Sequence, residues 1–183
     1  MTNLEQDTAP APLQPILDLV NTKDIETEIE ELRGPRALRD WLVERRLINP
    51  ATEVTAEDLD FTIELREALR AMLRVNDGHP VDAAALEVVN RVTGSLPLQL
   101  HFSTDGEPGL DPGTGGVRGA LAGMLGAVPL AEVDGTWSRL KVCSADDCQW
   151  AFYDKSKNRS GRWCSMQVCG NRTKTRAYRA RQR

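Results

Sequence analysis

All four cysteines of this chain lie between Cys143 and Cys169, in two pairs. Cys143 and Cys148 enclose four residues, as do Cys164 and Cys169, and fifteen residues separate the pairs. Two loops that each present two thiolates match the demand of tetrahedral zinc for four soft ligands around one point. The alternatives are a pair of disulfides or four unrelated thiols. Disulfides need an oxidising compartment, and MTNLEQDTAPAPLQP has neither the basic start nor the apolar run of an export signal. Four unrelated thiols would not be expected to form two equal brackets. A catalytic zinc keeps one position open for water, so four thiolates point to a closed, structural site.

A metal would also repair a deficit. From Arg139 onward the chain has few large apolar side chains, among them Val142, Trp150, Phe152, Tyr153, Trp163, Met166 and Val168. So short a segment hardly offsets its own chain entropy. Zinc binding supplies on the order of 10 kcal/mol in small modules of this kind. Metal removal is therefore expected to unfold this end and spare the rest.

The charge is divided in the same way. The whole chain carries −4, but the segment from Arg139 has twelve Lys/Arg against Asp146, Asp147 and Asp154, a balance of +9. The first 138 residues stand at −13. Such asymmetry implies an acidic body and a basic contact module on one chain. No apolar stretch approaches the roughly 20 residues of a membrane helix, and a soluble cytoplasmic protein is expected.

Along the body, helical periodicity dominates. Residues 1–15 hold three prolines and read as a flexible lead-in. ILDLVNT suits a helix start or a strand. Pro35 opens a helix with Leu38, Trp41, Leu42 and Arg45 on one face, closed by Asn49-Pro50. Thr55 with Asp58 forms a start signal for Phe61, Leu65, Leu69 and Met72, and Asn76-Asp77-Gly78 stops that run. Asp82 caps a third helix through Val92. LPLQLHF alternates as a strand does, STDGEPGLDPGTGG reads as loop by composition, and Val117 to Val128 marks a fourth, glycine-rich helix. His79 and His101 have no cysteine or carboxylate at ligand spacing. The sequence offers no nucleophile–base pair, no phosphate-cradling glycine loop and no open metal site, so an enzyme is the least favoured class.

Between the cysteine pairs, DKSKNRSGRW interleaves Lys155, Lys157, Arg159 and Arg162 with hydroxyls and an amide, the groups that contact phosphate oxygens. After Cys169, Asn171 suits a helix N-cap, and Arg172, Arg176, Arg179 and Arg183 then share a sector of roughly 60° on a helix. Candidate nucleic-acid contacts are Arg159, Arg162, Arg172, Lys174, Arg176 and Arg179. The same surface also suits RNA or an acidic protein, including the chain's own acidic body.

The run CSADDCQWAFYDKSKNRSGRWCSMQVCGNRTKTRAYR resembles the CGNR-type zinc finger of bacterial proteins, whose signature is Cys169-Gly170-Asn171-Arg172 here. LDLVNT and the L-x-x-WL of Leu38 to Leu42 are similar to the ABATE domain that precedes this finger. Family members often carry a longer segment with an arginine and an aspartate between these two elements, where this chain has the short, acidic KDIETEIEELRG. The resemblance implies a stress-induced transcription regulator, with a DNA-binding finger and a sensing or ligand-binding helical domain. The expected fold is α+β: a mainly helical domain over 16–135 with a short strand element, and a zinc module over 139–183, treble-clef- or ribbon-like, ending in a basic helix. One structural zinc per chain is expected on Cys143, Cys148, Cys164 and Cys169. A homodimer would suit a small DNA-binding module.

Overall fold

A computed structural model describes residues 8–182; residues 1–7 of the expected lead-in, and Arg183, lie outside it. From Ala9 on the lead-in is packed. Ala9 and Leu13 are buried, and the Ala9 N–H donates to Gln14 Oε1 at 2.7 Å. The LDLVNT run settles as a helix, α1 (Gln14–Asn21), with Pro15 in its first turn.

Three further helices follow: α2 (Pro35–Glu44), which stops before a left-handed Arg46 (φ +57°) and so short of the expected Asn49-Pro50, and α3 (Ala56–Val75) and α4 (Ala83–Gly94), which keep the predicted punctuation. Thr55 and Asp58 form the reciprocal capping box that opens α3. Asp82 accepts from the amides of Ala84 and Ala85 to open α4.

The loop expectation fails. PGLDP, inside the predicted loop, is a strand. β1 (Leu98–Phe102) and β2 (Pro108–Pro112) form an antiparallel ribbon in which Leu98 faces Pro112 and Phe102 faces Pro108. The prolines misled because they lack an N–H, but at the two ends of an outer strand that donor is dispensable. Gly106 (φ +81°) supplies the left-handed turn residue between the strands.

α5 (Gly116–Leu125) and α6 (Val128–Val133) complete the body. Together Gly116–Val133 would be long and apolar enough to cross a membrane by length and composition, but Val117, Ala120, Leu121, Ala122 and Met124 are buried in the core. A Cβ on Gly119 would lie 2.1 Å from the Thr114 carbonyl oxygen, so this glycine serves the close approach of loop and helix.

The strands β3 (Leu140–Val142) and β4 (Ala151–Tyr153) pair antiparallel, and their apolar residues do not form a separate core. Leu140, Val142 and Ala151 join one cluster with Ile16, Leu19 and Val20 of α1, Leu65, Leu69 and Leu73 of α3, and Leu121 of α5. Polar side chains of the body then grip the backbone of the cysteine segment. Asn21 accepts from the Ala151 N–H (2.8 Å) and donates to its carbonyl (2.9 Å). Arg70 donates to the carbonyls of Gln149 (2.9 Å) and Val20 (2.7 Å). Asn76 donates to those of Trp137 and Leu140, and the Ser144 hydroxyl bonds Asp77.

Replacing Asn21 with Ala leaves two buried peptide groups unpaired, each worth about 1–3 kcal/mol. Urea unfolding of Asn21→Ala should show a loss of about 2–4 kcal/mol, whereas Asn171→Ala, at an exposed site, should stay within about 0.5 kcal/mol of wild type.

Candidate metal centre and basic face

The hairpin β3–β4 delivers the first cysteine pair. Between its strands the chain reverses at Cys143–Gln149, with the Cys143 N–H donating to the Trp150 carbonyl (2.9 Å) and the Cys148 N–H to that of Ala145 (2.9 Å). Gln149 takes φ +52° at the tip. The second pair comes from a different element: Cys164 ends a loop, and Cys169 lies in a π turn, Met166–Gly170, that runs directly into α7 (Asn171–Arg181).

The four Sγ atoms lie within 4.8 Å of one another, with Cys148–Cys164 and Cys164–Cys169 at 3.7 Å. Tetrahedral Zn–S bonds of about 2.3 Å set sulfurs about 3.8 Å apart, so the donor set fits one zinc ion. Cys143, Cys148 and Cys169 are buried and Cys164 half-buried. Trp150 and Trp163 pack against the cluster. So close a set of thiols does not ionise independently. Hydrogen bonds from Cys148 and Cys164 hold the Cys143 thiol down, whereas the bonds they make to Cys143 push Cys148 and Cys164 up. Cys169 is raised first by burial. A divalent cation is what lets all four donate as thiolates.

A second buried charge cluster supports the loop between the pairs. Lys141 of β3 and Asp154, just after β4, are both buried and meet at 2.9 Å. Lys141 Nζ also donates to the carbonyls of Arg159 (2.6 Å) and Gly161 (3.2 Å), while Asp154 accepts from the amides of Ser156 (2.9 Å) and Gly161 (2.8 Å). A Cβ on Gly161 would lie 2.7 Å from Asp154 Oδ1, so the basic loop needs glycine there. Burial alone would raise the Asp154 pKa, but the hydrogen bonds from Ser156 and Lys141 outweigh it and hold the carboxyl at about 2.

With this geometry in place, the comparison with known families is decisive. Residues 13–134 match the family model ABATE, described as "Putative stress-induced transcription regulator". The chain belongs to the ABATE family. Residues 139–182 match the CGNR zinc finger, so the finger follows the ABATE region in the order its residues suggest. No curated protein matches the chain.

The candidate contact residues divide into two groups. Lys174, Arg176 and Arg179 are exposed on α7, as are Arg159 and Arg162 on the loop. Arg176 Nη2 meets Asp147 at 2.9 Å yet keeps 64% of its side chain exposed. Arg162 lies over the Trp163 ring at 5.6 Å. Arg159 takes φ +53° and reaches Ser138 Oγ at 3.3 Å. Arg172, by contrast, is turned inward, with 24% of its side chain exposed, against Glu26 of the ABATE region, Asp147 and Cys169. Two cations of the +9 segment are also withdrawn from solvent: Lys141 as above, and Arg139, whose Nη1 donates to the Asp154 and Ser156 carbonyls.

Asn171 is not the cap of the CGNR helix. Helical structure starts earlier, where Ser165 accepts from the Val168 N–H (3.3 Å), and Asn171 Nδ2 donates to the Gln167 carbonyl (3.1 Å). Its position follows from Cys169, which must already lie in a turn to face the other three sulfurs. The Gly170 N–H donates to the Ser165 carbonyl (3.1 Å). A Cβ at Gly170 would meet Met166 Sδ at 2.5 Å, so its bareness makes room for that side chain.

Sequence inspection passed over Arg66 and Arg70. Both are buried beside Leu65, Leu69 and Leu73 of α3. Arg66 makes a bidentate pair with Glu30 (2.8 Å each) and donates to Thr22 Oγ1. The legible signal was two arginines one turn apart on the apolar stripe of LREALRAML.

Two outcomes follow. Chelation of zinc should abolish amide protection in the knuckles and α7 while β3 and β4, part of the ABATE core, remain protected in hydrogen exchange. Asp154 has a folded pKa below its unfolded value, so its contribution is full above about pH 4 and is lost as pH falls towards 2. Asp154→Asn should remove about 3–5 kcal/mol at pH 7, because Lys141 is left buried and unpaired, and the gap from wild type in denaturant titrations should narrow below pH 4.

Proposed function

We propose that this ABATE protein is a zinc-dependent DNA-binding regulator of transcription. Its CGNR finger contacts DNA, and its acidic helical region takes the sensory role. The observation that carries this reading is α7 itself. The helix holds Arg172, Lys174, Arg176, Arg179 and Arg181 with no acid, and none of its described residues is buried. A helix of eleven residues without a buried apolar face gains little from packing beyond the contacts of Arg172, and its exposed cations repel one another. A polyanion against it removes that repulsion and releases condensed counterions. Lys157, Arg159 and Arg162 add exposed cations from the loop anchored by Asp154. A Zn(Cys)4 centre counts as −2, which leaves the segment near +7. The family description supports regulation as the setting.

In this reading Lys174, Arg176 and Arg179 track phosphates from α7, while the planar forks of Arg159 and Arg162 suit paired acceptors on phosphate or guanine. A second reading has one observation in its favour. The contact of Arg172 with Glu26 shows basic finger and acidic body already meeting, as they would if the finger served to dock acidic protein surfaces.

Titration of the zinc-loaded full chain with random-sequence duplex DNA across a salt series separates the two. DNA binding predicts a log–log slope of about −0.9 per phosphate contacted. Lys174→Ala and Arg179→Ala should each reduce the slope by about one and weaken binding alike on all sequences, with zinc unchanged at one per chain. Absence of binding at low salt would exclude DNA and leave the protein-docking reading.

A further inference from the structure

We infer that Arg172 is a positioning residue of the metal centre, holding both cysteine loops and the ABATE body around it, rather than a contact to nucleic acid. The arginine stands three residues after Cys169, which sets its side chain beside that ligand on the same helical face. Its Nη2 approaches Cys169 Sγ at 3.5 Å and Asp147 Oδ1, beside Cys148, at 3.5 Å. Both terminal guanidinium nitrogens engage the Glu26 carboxylate, Nη2 at 3.2 Å. One fork therefore joins the second cysteine loop, the first cysteine loop and the connection between α1 and α2.

The chemistry asks for a cation at this place. Four thiolates around one Zn2+ leave two negative charges in a largely buried cluster, and a hydrogen-bonded guanidinium offsets part of that charge at short range. Glu26, on both terminal nitrogens, and Asp147, beside Nη2, fix its orientation. Lysine, with a compact head and no planar fork, could not pair the Glu26 carboxylate in bidentate fashion while also reaching Cys169 and Asp147. A phosphate could recruit Arg172 only by displacing two carboxylates and a sulfur, whereas the exposed Arg176 would give up Asp147 alone and the side chains of Lys174 and Arg179 are exposed on the same helix.

The test measures zinc release from the full chain, loaded with one zinc, into excess 4-(2-pyridylazo)resorcinol, for wild type, Arg172→Ala, Arg172→Lys and Glu26→Gln. Partners of metal ligands typically affect metal affinity 10- to 100-fold. Arg172→Ala should release zinc faster by that order and Arg172→Lys by an intermediate factor. Glu26→Gln, which keeps the arginine and lies outside the finger, should release it several-fold faster even where Arg172→Ala fails to fold. Wild-type release rates in Arg172→Ala, or in Glu26→Gln if that variant alone is soluble, overturn the inference. The second arm rests on the DNA reading. At matched zinc occupancy Arg172→Ala should keep wild-type DNA affinity within about two-fold, and a ten-fold loss there would return Arg172 to the DNA face. If no variant and no wild type binds DNA, the proposed function fails while the zinc-release result still decides the role of Arg172.

Discussion

The side chain of Asn21 behaves as a peptide group. Its amide offers one acceptor and one donor to the N–H and carbonyl of Ala151, the pattern a neighbouring strand would present along the free edge of β4. Through this contact a helix end substitutes for a third strand, and the hairpin that holds the first two cysteines becomes continuous with the helical body. Arg70 and Asn76 extend the same grip to three more carbonyls. The apolar side chains follow suit, since Leu140, Val142 and Ala151 are buried in the body's cluster and not in one of their own. The ABATE region and the CGNR finger are two family matches on one fused core.

Charge is arranged in layers around the metal centre. Innermost are the sulfurs, buried with two tryptophans beside them. Around them stand pairs in which each ion meets an opposite partner: Lys141 with Asp154, Arg172 with Glu26 and Asp147. Cations with large exposure appear only farther out, on α7 and the loop. A buried pair of ions adds little to stability relative to apolar residues of the same size. Its contribution here is geometric, because Lys141 and Asp154 between them hold Arg159, Ser156 and Gly161 by their backbones. The loop is shaped from inside, and its outward side chains are left for other work.

Residue pattern carried the helices and the metal ligands well. Capping boxes and periodic leucines are local signals, and four cysteines in two brackets leave few arrangements open. Long-range polar contacts were not legible. Asn21 and Ala151 are 130 positions apart, and nothing in LDLVNT announces a peptide partner rather than a ligand. β2 was hidden because composition argues for loop wherever proline and glycine cluster, although an outer strand tolerates proline at its ends. The net charge of the last 45 residues was read correctly, yet it could not reveal which cations face inward. Arg172 and Lys174 look equivalent in the sequence; their different fates are set by Glu26, which a separate segment brings to one of them.

The π turn that carries Cys169 has one more consequence. An isolated helix of eleven residues is hard to start in water, because the first hydrogen-bonded turn fixes several residues for a single bond. In this chain that first turn is Met166–Gly170, already closed by Ser165 and by the ligand within it. α7 therefore has its nucleus supplied in advance, and every further residue is added at the much lower cost of propagation. The ion acts as the initiation site of a helix–coil transition. The ordered length of the basic arm is then tied to the metal at its start.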